Sequence, residues 1–175
     1  MNTQEKAKEV EKWRSFSIDG QTYDLSHLDA DEVEYKDEDS KIYKFFVTYG
    51  LHCFTEDIED NSDREKLMYH GLRESRAFNF KRYELSKQLP SIIKSLGEKG
   101  TLVCHAAHGN YAVVKTNEEN LNYFVVFKVF RYRKKLRIHV ASAYPSRRLP
   151  KKNRVNFFKI AKSLLRNKPL PSPPK

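Results

Sequence analysis

The chain has 175 residues, with 33 Lys or Arg against 23 Asp or Glu and a formal net charge of +10. That length gives one ordinary domain with enough chain for a core, and two cysteines, Cys53 and Cys104, are too few for a disulfide scaffold. No apolar run approaches membrane-spanning length and the N-terminus is charged, so no membrane partner and a cytoplasmic location are expected.

The charge is segregated. Residues 1–40 hold 12 acidic and 5 basic side chains, about −7. Residues 120–175 hold 16 Lys or Arg and no Asp or Glu. A strongly basic end points to a polyanion partner, RNA or another nucleic acid.

In chain order, Thr3 to Ser15 predicts a short polar helix through Glu5, Glu9 and Lys12. Phe16 to Leu25 reads as a hairpin about Asp19-Gly20. Ser26 to Ser40 is acidic and is expected to be loop with at most one helical turn. Ile42 to Gly50 is a strand, followed directly by His52-Cys53-Phe54-Thr55. Glu56 to Asp63 reads as loop and Arg64 to Leu72 as a short helix. Phe80 to Leu96 carries Tyr83, Leu85, Leu89, Ile92, Ile93 and Leu96 at helical spacing, and Pro90 predicts a kink or two shorter helices meeting near Gln88. Thr101 to His105 and Tyr111 to Lys115 are strands around a turn at Ala106 to Asn110.

The organising stretch is Asn122 to Tyr144, read as one β-hairpin with a basic tip at Tyr132 to Lys135. In its second arm, alternation puts Leu136, Ile138, Val140, Ser142 and Tyr144 on one face and Arg137, His139, Ala141 and Ala143 on the other. Ser142 and Tyr144 are then expected at the end of the buried face, lining a cleft. His139 is expected on the surface, at most touching phosphate. Pro145 to Asn153 is a basic loop, Val155 to Leu165 an amphipathic helix, and Lys168 to Lys175, with four prolines, a disordered tail.

These elements predict an α+β fold, with helices packed on a four- to five-stranded, mostly antiparallel meander, because strands joined by short turns are not parallel. The organisation is an acidic helix and hairpin over 1–40, a core over 41–147, a basic helix over 148–167 and a proline-rich tail over 168–175.

Nucleotide and hydrolase signatures are absent, with no GxGxxG, GxxxxGK[ST] or GxSxG, so no cofactor is expected. His52-Cys53, Cys104-His105 and His108 invite a zinc reading, but neighbours in a strand point to opposite faces and no CxxC is present; no metal is expected. The parts do suit metal-independent RNA cleavage. Attack by the 2′-OH needs a base, an acid and cations on the phosphate. His52 or His108 is the candidate acid/base, with Ser142 and Tyr144 beside it. Arg82, Arg131, Arg133, Lys134, Lys135, Arg147, Arg148, Lys151 and Lys152 are the candidate phosphate contacts.

The strings YKFFVTYGLHCFTED, RYELSKQLPSIIKSL, HGNYAVVK, NYFVVFKVFR and KKLRIHVASAYPS resemble a family of small bacterial and phage proteins often labelled stationary-phase growth adaptation or heat-shock protein. The resemblance covers about Ile42 to Arg147. More distantly, a helix followed by a meander ending in SAYP is similar to the barnase/EndoU/colicin/RelE-like ribonucleases. That likeness implies a toxin-type ribonuclease and, as partner, an acidic antitoxin. It implies a histidine near a strand start (His52 or His108), basic residues on the helix or central strands (Arg82, Arg131, Arg133), and Ser142 and Tyr144 on the last strand. The chain departs from that pattern because His52-Cys53-Phe54-Thr55 precedes the main helix. The rival expectations are a non-catalytic nucleic-acid-binding protein, with Tyr132 or Tyr144 stacking on bases, and a phage or mobile-element protein that binds a host protein.

Overall fold

The computed structural model describes residues 9–58, 60, 63–116, 121–148 and 153–174. The hairpin expected about Asp19-Gly20 forms as β1 (Phe16–Ile18) and β2 (Gln21–Tyr23), with both turn residues at positive φ. The helix expected over Thr3 to Ser15 falls partly outside the described residues, and residues 9–15 are not helical.

The acidic stretch expected to be loop contains β3 (Asp31–Lys36). Its letters DEVEYK alternate, so Val33 and Tyr35 turn inward while Glu32 and Glu34 stay in water. β4 (Ile42–His52) pairs antiparallel with β3. A small sheet follows, built from β5 (Thr55–Glu56), β6 (Met68–His70) and β7 (Ser75–Phe78) in the order β5-β7-β6. β6 stands where a short helix was expected; its Tyr69 packs against Trp13 and Phe54, and tertiary contacts decide the backbone there.

The long helical pattern splits as expected. α1 (Phe80–Ser86) is capped by Asn79, whose side chain accepts from Arg82 N at 2.8 Å. α2 (Leu89–Lys94) has Pro90 in its first turn, where a missing N–H leaves no hydrogen bond unmade. The meander then runs through β8 (Val103–His105), β9 (Tyr111–Thr116), β10 (Asn122–Tyr132) and β11 (Lys135–Ser146), and α3 (Phe157–Leu165) closes the order. The tip of the β10–β11 hairpin is tighter than expected: only Arg133 and Lys134 turn, at φ 48 and 65, the primed turn that suits strand twist.

The main sheet has six strands, ordered β3-β4-β11-β10-β9-β8, rather than four or five. Its meander is antiparallel, but β4 lies parallel to β11, with the whole segment between Cys53 and Lys134 as the crossover. Short turns rule out parallel pairing only between strands adjacent in sequence. The inner face carries Phe45, Val47, Val125, Phe127, Ile138 and Val140, covered by Ile92, Ile93 and Leu96 near α2 and by Phe157, Ile160 and Leu164 of α3, in one buried cluster. The proline-rich end lies against it: Leu170 packs there and the Tyr111 hydroxyl donates to the Pro171 carbonyl at 2.8 Å.

One irregularity sets the outer face. Val140 pairs with Phe127 but Ser142 pairs with Val126, so Ala141 is an extra residue in β11. On the other side Val140 pairs with Tyr49 and Ser142 with His52. This bulge inverts the alternation. Ala143 becomes fully buried, and Ser142 and Tyr144 turn to the face opposite Ile138 and Val140, not to the same face as expected. Strict alternation fails at a bulge because one residue adds half a period.

Gly50 admits the bulge. A Cβ there would sit 2.9 Å from the Ala141 carbonyl oxygen and 3.2 Å from that of Val140. Gly50→Ala is therefore expected to lower the free energy of unfolding by about 1–3 kcal/mol. Urea denaturation reads this directly, and an unchanged midpoint would show that the strands part without cost.

Candidate functional site

A cavity of about 280 Å3 opens beside the bulge. Its floor is outer sheet face: Tyr49 to His52 of β4, Lys128 and Phe130 of β10, His139 and Ala141 of β11. Its walls are the segment carrying Glu9, Val10 and Trp13 and the β6–β7 turn from Gly71 to Glu74.

His139 is the most perturbed group. Its side chain is 18 % exposed. Burial first, and the Lys128 charge second, hold its pKa down to about 4. Nδ1 shares a 2.9 Å hydrogen bond with the Thr48 hydroxyl. The Glu9 carboxylate stands 3.9 Å away, but Arg137 Nη1 already donates to it at 3.0 Å, and the desolvated ring stays neutral at pH 7. Arg137 also lies over the rings of Phe46, at 4.7 Å, and Tyr132, at 5.4 Å.

His52 lies on the same floor, at the end of β4. Its Nε2 shares a 2.8 Å hydrogen bond with Glu74 Oε1, which orients the ring. Lys128 has no carboxylate in ion-pair range among the described residues; its ammonium is 5.8 Å from the Phe130 ring centre. Two donors near the cavity are buried without acceptors among the described residues, the indole Nε1 of Trp13 and the Nε of Arg137.

The residues expected to form the site are scattered. His52 lines the cavity, and Ser142 is its neighbour in the β4–β11 register. Tyr144 stacks on Phe124, with centroids 5.7 Å apart and planes 8° apart. His108 lies in the β8–β9 turn at φ 59, exposed. β9 is three places from β4, so His108 and His52 are separated by roughly 14 Å or more along the sheet. They do not form one acid/base pair.

The expected phosphate contacts divide similarly. Arg82 Nη1 donates to the carbonyls of His52 at 3.2 Å and Thr55 at 2.7 Å, clamping the β4–β5 turn and placing His52. Arg131 Nη1 donates to the Leu165 carbonyl at 3.1 Å. Arg133 lies over the Tyr132 ring at 5.2 Å, Lys134 is exposed in the turn, and Lys135 is 3.7 Å from Glu32. Arg147 and Arg148 are exposed beyond β11. Lys151 and Lys152 lie outside the described residues. Cys53 is fully buried and donates to the Val140 carbonyl at 3.6 Å; burial pushes its thiol up to about 12. Among the described residues no three His, Cys, Asp or Glu side chains come together as a metal site, and no helix is long and apolar enough to cross a membrane.

Sequence reasoning missed His139, Lys128, Glu9 and Trp13 as a group. Lys128 did carry a signal: it is the one charged residue in the run from Tyr123 to Phe130. Arg137 and His139, alternating with Leu136, Ile138 and Val140, also marked the outer face. Nothing local marked Glu9, which meets Arg137 across 128 positions of sequence.

The neutral state of His139 has a pH signature. Its folded pKa lies below the unfolded value of 6.5, so its contribution is intact above pH 6.5 and is lost as pH falls toward 4 while only the unfolded chain takes up the proton. Between those limits the wild type is expected to lose about 3 kcal/mol more stability than His139→Gln. Parallel slopes for the two proteins in urea titrations from pH 7 to 4 would contradict a neutral buried His139.

Comparison with known proteins identifies the lineage. A family model described as the YjaZ family matches residues 15–165. Protein YjaZ of Escherichia coli (strain K12) is 46 % identical over 179 residues, covering 96 % of this chain and 99 % of that protein. No solved structure matches. These findings overturn the expected kinship: neither match points to a stationary-phase or heat-shock family or to the barnase/EndoU/colicin/RelE-like ribonucleases. The shared sequence runs nearly end to end, taking in the acidic N-terminal part and α3 as well as the meander, and the chain belongs to the YjaZ family.

Proposed function

We propose that the protein binds single-stranded nucleic acid, RNA in particular, across the β10–β11 part of its outer sheet face. The observation that carries this reading is the parallel Phe124–Tyr144 pair, with Tyr144 36 % exposed, on a chain end that holds 16 cations and no acid over residues 120–175. A flat aromatic surface accepts any base, and neighbouring cations follow the backbone. Arg133 and Lys134 at the tip and Arg147 and Arg148 beyond β11 supply cations near the two ends of the hairpin. Acidic residues lie on β3 (Asp31, Glu32 and Glu34) and none lies on β10 or β11, which favours the β10–β11 side for a polyanion.

A second reading, cleavage of the bound strand, is favoured by one observation. His52, oriented by Glu74, shares a cavity with His139 and Lys128. These are the types of acid, base and cation that 2′-OH attack requires.

Fluorescence anisotropy with a labelled single-stranded RNA tests both. Affinity is expected to fall with salt, with a log–log slope of about −0.7 per phosphate contacted, and Tyr144→Ala is expected to weaken binding by about ten- to a hundredfold. Binding indifferent to salt and to Tyr144 would remove the first reading. Gel analysis of the same mixtures addresses the second: RNA left intact by the wild type excludes cleavage, and cleavage lost in His52→Ala supports it.

A further inference from the structure

The cavity has a chemical bias that strand binding on the neighbouring face does not explain. Its wall carboxylates are engaged, Glu9 by Arg137 at 3.0 Å and Glu74 by His52 at 2.8 Å. Its donors are not. Lys128 lines the floor and has no carboxylate partner among the described residues. Behind the lining, the indole N–H of Trp13 and the Nε–H of Arg137, beside Glu9, are buried with no acceptor among the described residues. Buried donors without acceptors are rare in native structures, and each calls for an explanation. An ammonium on the floor without a carboxylate partner among the described residues fits a ligand that brings negative charge and oxygen acceptors. The rest of the lining, Leu51, Leu72, Phe130 and Ala141 with the Trp13 ring, is apolar. At about 280 Å3 the space lies at the lower end of ligand cavities, enough for one compact molecule.

We propose that this cavity binds a small molecule carrying one oxyanion, a carboxylate or a phosphate, on an apolar body, with Lys128 facing the oxyanion and the Trp13 ring against the apolar body. The inference is independent of nucleic-acid binding and stands or falls by a separate measurement.

Trp13 is the only tryptophan in the chain, so its fluorescence reports the cavity alone. The full chain is titrated with phenyl phosphate, benzoate, inorganic phosphate and, as a cation of similar body, benzylamine. A saturable change with phenyl phosphate or benzoate is expected, and the stronger of the two identifies the oxyanion. Inorganic phosphate should bind at least tenfold more weakly than phenyl phosphate, and benzylamine should not bind. Lys128→Met should weaken the oxyanion at least tenfold, Lys128→Arg should stay within about threefold of wild type, and Lys99→Met, at a position 93 % exposed and outside the cavity, should change nothing. Leu72→Glu covers the case in which Lys128→Met fails to fold. Leu72 is 71 % exposed at the rim, and a carboxylate there should also weaken the oxyanion. No saturable change with either oxyanion, benzylamine binding as tightly, or unaltered affinity in a folded Lys128→Met or Leu72→Glu protein would each overturn the proposal.

Discussion

The close approach of β4 to the bulged β11 is the constraint on which the rest of the structure depends. These are two of the three longest strands, and they run parallel although most of the chain separates them. Ala141 is squeezed out of register, and Gly50 opposes it with no side chain in the way. The turn that follows is fastened from several directions. Cys53 N donates to the Gly50 carbonyl at 3.1 Å, Cys53 Sγ reaches the Val140 carbonyl, and Arg82 holds the carbonyls of His52 and Thr55. Buried carbonyls at a strand end need such partners, since water does not reach them. The cavity is what remains where β4 leaves the sheet, and its shape follows from these contacts.

Charge segregation along the chain becomes contact in the fold. Glu9 meets Arg137, Glu32 meets Lys135, Asp31 meets Lys94 and Asp37 meets Lys162. Most of these pairs are exposed on at least one side and contribute about 0–1 kcal/mol each. Glu9–Arg137 differs, with side chains 11 % and 16 % exposed, and removal of either partner would strand a charge in a dry place. Asp37 also differs: it accepts from Tyr43 OH and from two backbone N–H groups, so it builds the β3–β4 turn as well as pairing. The acidic N-terminal part is thus knitted to basic residues of the sheet and the helices, while Arg133 and Lys134 at the β10–β11 tip and Arg147 and Arg148 beyond β11 stay exposed.

The same polar side chains act differently because their depth differs. His52 and His139 both line the cavity. His52 is well exposed and carboxylate-paired, whereas His139 is desolvated and has a lysine ammonium nearby. An oriented imidazole and one held neutral can play different parts around one ligand, a division that burial and neighbouring charge produce without any change of residue type.

The sequence by itself determined the local elements whose signals are short-range. The Asp19-Gly20 hairpin, the break near Gln88 and the β8–β11 meander followed from turn residues, proline and the two periodicities, which are properties of adjacent residues. It also marked Lys128, alone in an apolar run, and the polar row of Arg137 and His139. Three things only the tertiary structure decided. The parallel β4–β11 pairing joins segments whose contact leaves no trace in either alone. The bulge at Ala141 is a packing compromise with Gly50, and it reversed the expected faces of Ser142 and Tyr144. The cavity unites Glu9 and Trp13 with residues more than a hundred positions away. Spacing along the chain reports what one strand or helix can present; which faces then meet is set by burial of the whole apolar surface, which no single segment encodes.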